Sequence, residues 1–176
     1  MSPSKSPPAR PTAVSPTPAL LTDEVRESAQ RSVLCWLATV DGHGQPNVSP
    51  KEIFAPFDAS HLVIANIASP ASVRNIGNGA AVCVAFVDVF VQKGFKIVGT
   101  ARHVRPAEAD FAQWAEPLRA RVGDRFPIHG VIVVAAASVE PIVAPSYRLH
   151  PDETTEAAQI ASAMRSYRVR PADDAD

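Results

Sequence analysis

Ser49-Pro50-Lys51 interrupts an otherwise apolar, extended stretch and sets a hydroxyl beside an ammonium. Further along, Ser69-Pro70 opens a short helix whose start offers backbone N–H groups, the Ser72 hydroxyl and, about one turn in, Arg74. Helix N-termini bind phosphate because amide donors and the dipole converge there. Gln92-Lys93-Gly94 adds a third cation beside a turn. Brought together on one surface, three cations and a helix start suit a phosphorylated cofactor. Held apart, Lys51, Arg74 and Lys93 are solvated surface charges, and spacing alone leaves both readings open.

Other chemistries find no template. The chain has no Walker-type phosphate loop, Gly-rich dinucleotide fingerprint, Gly-x-Ser-x-Gly elbow or His-Glu-x-x-His pair. His43, His61, His103, His129 and His150 are scattered singly, which favours satisfied or surface histidines over metal ligands. Cys35 and Cys83 fall inside apolar strands and read as small core residues. Trp36 and Trp114 likewise read as core. No metal site is expected, and no catalytic residue is assigned.

The 176 residues fit one domain, and 17 basic against 18 acidic side chains lack the basic excess that nucleic acid or an anionic membrane calls for. No apolar run, 131–137 included, comes near the length of a spanning helix, which needs about 18 residues. The first twenty residues hold six prolines and four serines with no apolar centre, so they do not read as a signal peptide. A cytoplasmic location is the resulting expectation. Residues 1–18 are expected to be a disordered Pro/Ser-rich arm, 19–170 a single domain and 171–176 a short acidic tail.

The elements that must position these residues follow from pattern. A helix is expected from Thr22, whose hydroxyl can cap it, to about Ser32. Strands are expected at 33–40, 46–57, 61–67, 80–89, 95–104 and 131–139, with an Asp41-Gly42-His43-Gly44 turn after the first. Helices are expected from Pro70 to Gly77-Asn78-Gly79, from Pro106 with a kink or break at Pro117, and from Thr155 to Tyr167. Six mostly consecutive strands with marginal helices indicate a mainly β, antiparallel barrel rather than alternating parallel units.

From Leu37 to Val104 the order of these pieces resembles the pyridoxamine 5′-phosphate oxidase-like, FMN-binding split-barrel family, in its small stand-alone members. The resemblance is carried by Leu37-Ala38-Thr39-Val40 before the Asp-Gly turn and by Pro46-Asn47-Val48-Ser49-Pro50-Lys51-Glu52. It continues through Leu62-Val63-Ile64-Ala65-Asn66, the 69–76 helix and Gly94-Phe95-Lys96-Ile97-Val98-Gly99-Thr100-Ala101.

That resemblance implies a homodimer of six-stranded Greek-key split barrels with two FMN sites at the subunit interface. It carries flavin contacts onto Ser49, Pro50, Lys51, Ala65 and Asn66, phosphate contacts onto Ser72, Val73 and Arg74, and further contacts onto Gln92 and Lys93. The vitamin-B6 enzyme has an Arg-Lys pair where this chain has Ala71-Ser72, with Arg74 as the substitute charge one turn later. The basic residues that hold pyridoxal phosphate in that enzyme have no counterpart here, so B6 oxidation is not expected. The expected activity is FMN-dependent transfer of hydride or electrons between a reduced carrier and a small organic substrate, near Tyr147 and Arg148. The alternatives are a reductase using the deazaflavin F420 and a non-enzymatic flavin- or haem-binding module.

Overall fold

The structure, a computed structural model, describes residues 21–122 and 126–172. The arm expected over 1–18 and residues 173–176 of the expected tail lie outside the described residues. Seven strands, β1 (Cys35–Val40), β2 (Pro46–Lys51), β3 (Phe54–Pro56), β4 (His61–Asn66), β5 (Ala81–Asp88), β6 (Lys93–Val104) and β7 (Gly130–Val143), form one sheet. Their order is β2-β1-β5-β6-β7-β4-β3, and the six pairings between neighbours are all antiparallel. Five helices lie outside it: α1 (Asp23–Arg31), α2 (Pro70–Asn78), α3 (Phe111–Val122), α4 (Ser146–Leu149) and α5 (Glu156–Tyr167).

The sheet curls because its inward residues form one apolar cluster. Leu37 of β1 and Phe54 of β3, from opposite ends of the strand order, share that cluster with Ile64, Phe86, Ile97 and Ile132. Val25 and Ala29 of α1 join it. Behind β4 and β7, the alternate residues Val63, Ala65, Val131 and Val133 pack on Phe111, Ala115 and Leu118 of α3. These two strands are therefore covered on both faces, which explains their near-continuous apolar sequence.

The mainly β split-barrel class holds, with one correction to the strand count. The extended stretch 46–57 breaks after Lys51, because its first half pairs with β1 and its second with β4. The break carries the chain from one edge of the sheet to the other. The helix expected from Pro106 starts at Phe111 instead, since Arg105 to Glu108 closes a turn with the Glu108 carboxylate on the Arg105 N–H at 2.9 Å. Pro117 lies inside a continuous helix and does not divide it.

Three residues expected in the core are not there. Trp36 is 48% exposed, Cys83 is half-buried, and Trp114 stacks on Phe57 at 4.3 Å with part of its surface open. Strand alternation explains the first two. Cys35 and Leu37 point into the barrel, so Trp36 and Ala38 point out, and Cys83 of β5, paired with Ala38, points out with them.

The β1–β2 turn follows its sequence. The Asp41 carboxylate accepts the His43 and Gln45 N–H groups at 2.8 and 2.9 Å, and Gly44 takes the left-handed φ of +84°. No described helix is long and apolar enough to cross a membrane.

Candidate functional site

Lys51 ends β2 directly opposite Cys35 of β1 and is buried at 7% exposure. Its Nζ donates to Ser49 Oγ at 2.7 Å and, in a very short contact, to Ser69 Oγ. Among the described residues no ion pair involves Lys51. Two hydroxyls therefore face a buried ammonium whose charge no ion pair among the described residues neutralises. Burial pulls its pKa down from 10.5, with the neighbouring Cys35 pulling the other way. Burial pushes the Cys35 thiol up to about 12 despite the nearby Lys51 and Arg121, which disfavours the thiolate that a nucleophile needs.

The ammonium borders a cavity of about 420 Å³ walled by Leu34, Ser49, Pro50, Ile53, Ala65 and Phe126, among others. Its size lies within the range of about 300–1,000 Å³ usual for small-molecule sites. Ser69, also in this wall, precedes α2 as its N-cap yet makes no capping bond, because its hydroxyl receives Lys51. No acceptor for the Ala71 and Ser72 N–H groups is found among the described residues. The helix start thus keeps donors to offer an anion.

Buried Asn75 fixes α2 in place, its Nδ2 donating to Thr39 Oγ1 of β1 at 3.0 Å. Asn47 Nδ2 donates to the same hydroxyl at 3.3 Å, tying β2 to the arrangement.

Of the residues singled out in the sequence, Ser49, Pro50, Lys51 and Ala65 share this cavity. Asn66 is not in its wall but accepts the N–H of Ser69, which is, at 3.2 Å. Ser72 is buried in the first turn of α2, while Val73 lines a second cavity beside β6. Arg74 is exposed on the outer face of α2.

Gln92 and Lys93 lie at the β5–β6 hairpin and are not in the wall of the Lys51 cavity. Lys93 pairs with Glu156 at 2.7 Å and lies 4.5 Å over the Tyr147 ring. Tyr147 in turn donates its hydroxyl to the Val91 carbonyl at 2.8 Å. Within one chain, then, the three cations do not converge.

Sequence reasoning missed the cavity's apolar wall, because Leu34, Ile53 and Phe126 carry no chemical signal of their own. It also gave Ser69 only a capping role. The pairing of Cys35 with Lys51 turns the Lys51 stem toward the barrel, and strand alternation from Lys51 was the one available sign of that.

A family model described as pyridoxamine 5′-phosphate oxidase matches residues 21–156. No curated protein matches the sequence. Among solved structures, an FMN-binding protein from Syntrophomonas wolfei is 12% identical, with a TM-score of 0.60 over 70% of this chain and 87% of its own. An F420 reductase is 19% identical, with a TM-score of 0.52 over 68% of this chain and 98% of its own. The haem storage protein HutZ from Vibrio cholerae is 20% identical, with a TM-score of 0.52 over 70% of this chain and 94% of its own. At these identities the three share its fold.

Proposed function

This chain belongs to the pyridoxamine 5′-phosphate oxidase family, and we propose that it is an FMN-binding oxidoreductase that works as a homodimer. One observation carries the cofactor assignment. Lys51 is a buried cation with only hydroxyl partners among the described residues, a costly arrangement unless an anionic ligand completes it. FMN brings such an anion, as its phosphate or as the electron-rich pyrimidine edge of its ring. Bound there, the flavin would supply hydride or electron transfer.

The chain's own residues would do the rest. Lys51 would hold negative charge, with Ser49 and Ser69 fixing the direction of its Nζ. Ala65 and Pro50 would give the ring an apolar wall. The α2 amides would take phosphate oxygens. Among the described residues no histidine lines this cavity, so a haem there would find no imidazole ligand from them. FMN is favoured over F420 because α2 is short and offers a single anion-binding start, which suits a lone phosphate. Anaerobic addition of NADH or NADPH to the FMN-loaded protein is expected to bleach its yellow colour. Retention of colour with both donors would leave a binding module.

A second copy would fit the outer face of β2, β1, β5 and β6, against which no helix among the described residues packs its buried side chains. Cross-strand register aligns Val48, Ala38, Cys83 and Val98 in one row and Pro50, Trp36 and Ala85 in the next. Val48 is 58% and Val98 40% exposed. An apolar face of this kind marks an interaction surface.

Leu34 belongs both to the Lys51 cavity and to an apolar groove on this face with Trp36, Val87 and Phe90. A partner there would complete the cavity wall, and its hairpin would be a source of the Lys93 that this chain keeps apart. Trp36→Glu is expected to turn a dimer into a monomer in light scattering and to weaken FMN binding with it. A variant still dimeric at micromolar concentration would place the partner elsewhere.

A further inference from the structure

An unbroken line of polar contacts runs from the Lys51 cavity to a second one. Lys51 Nζ donates to Ser69 Oγ, and the Ser69 backbone N–H donates to Asn66 Oδ1 at 3.2 Å. Asn66 Nδ2 then meets His103 Nε2 at 3.0 Å. His103 lines a cavity of about 500 Å³ together with Val73, Ile76, Ala101, Arg102 and Arg105.

The direction of each bond fixes the next. Asn66 uses its oxygen on Ser69, so its amide nitrogen faces the ring, and that nitrogen can only donate. His103 Nε2 must therefore accept, and the proton of the neutral imidazole sits on Nδ1. Gly130, paired with Asn66 across β4 and β7, makes room for this placement. A Cβ there would stand 2.8 Å from His103 Cε1 and 3.0 Å from Cδ2.

We propose that His103 is a positioning residue for the ligand cavity: neutral, it orients Asn66 and through it the Ser69 seat of Lys51, and protonated, it releases that seat. An imidazolium donates from both nitrogens and cannot accept from Asn66. On taking a proton from solvent, it makes the Asn66 amide turn its oxygen toward Nε2 and withdraw it from the Ser69 N–H.

The charged groups around the ring are Glu108 and Arg105 beyond the end of β6 and Arg102 in the same cavity wall. α2 presents only Val73, Ile76 and Gly77 to that cavity, and β4 brings Asn66. Exposed His129 stands before β7, its N–H on the Asn66 carbonyl at 3.0 Å. Burial sets the His103 titration on the acid side of 6.5, with Glu108 raising it and Arg105 lowering it.

The identity of the ligand rests on the FMN reading, whereas the relay does not, and the test separates them. Side-chain and amide NMR of the full chain without ligand, titrated from pH 8 to pH 5, would follow the His103 ring, the Asn66 amide and the Ser69 N–H. The three are expected to move with one midpoint, and His103→Gln, whose oxygen also accepts from Asn66, is expected to silence the Ser69 shift. FMN titration over the same range is expected to weaken about tenfold more in the native protein than in His103→Gln, the worth of one hydrogen bond.

The comparison with His103→Gln removes the flavin phosphate's own titration near pH 6. Deprotonation of Lys51 would act in the opposite sense, weakening an anion as pH rises. A Ser69 N–H that stays still while His103 titrates would overturn the relay, as would an unchanged pH profile in His103→Gln. Coupled NMR shifts in a protein that binds no FMN would overturn the cofactor and uphold the relay.

Discussion

Lys51→Met is expected to weaken FMN binding about 100-fold without lowering the stability of the apo-protein. The first half follows from the loss of a charge-assisted bond in a desolvated site, typically worth about 1.5–3 kcal/mol, or roughly 10-fold to 150-fold. The second half follows from burial. An ammonium with no ion pair among the described residues, on a lysine only 7% exposed, costs free energy in the empty protein, and an unbranched apolar side chain of similar length removes that cost.

The pH dependence carries the same sign. A lysine whose folded pKa lies below its unfolded 10.5 destabilises the fold while both states are protonated, and the penalty lifts as pH rises from the folded value through 10.5. Cys35, whose buried thiol is pushed up to about 12, lowers stability over the same alkaline range, so the lysine's share is read as a difference: in chemical unfolding the native apo-protein should gain on Lys51→Met as pH rises toward 10.5. Arg74→Ala, which changes an exposed residue of α2, should weaken FMN by no more than about threefold. Equal effects at the two positions would move the phosphate out along α2.

Gly99→Ala is expected to cost about 3 kcal/mol and, in a chain of this length, about 10 °C in Tm. Gly99 sits at the bulge where the β6–β7 register shifts after Val98. A Cβ at Gly99 would drive into the Ala135 carbonyl oxygen, with the Ala135 carbon at 3.0 Å and the Ala136 Cα at 3.2 Å. All three are backbone atoms of β7, so relief requires parting the longest ladder in the sheet. Gly44→Ala meets open space and costs only the strain of its positive φ, about 1 kcal/mol. Thermal melts of the two variants check the ranking, and a Gly99→Ala shift no larger than that of Gly44→Ala would contradict it.

Much of the architecture was legible because local signals were strong. Thr22 caps α1 through its hydroxyl to the Val25 N–H, Thr155 caps α5 in the same way, and Asp41 to Gly44 makes the expected turn. What local signals could not show was where each strand finds its partner. The stretch 46–57 looks continuous, yet only the closing of the curl tells its second half to leave β1 for β4.

The site divides along the same line. Ser49 and Lys51 announce themselves two residues apart on one strand, whereas Ser69 and Lys51 meet only through the fold. Arg74 and Lys93 are equally basic in sequence but face away from the cavity, since helix phase and a hairpin partner decide their direction. His103 looked isolated because its partner Asn66 stands 37 positions earlier in the chain.

The most direct measurement of the central claim is an absorption spectrum of the freshly purified protein, with mass analysis of whatever acid releases. An oxidised-flavin spectrum, a released mass equal to FMN and loss of both in Lys51→Met are the expected results. A colourless protein that takes up no added FMN, or a flavin held just as well without Lys51, would contradict the account.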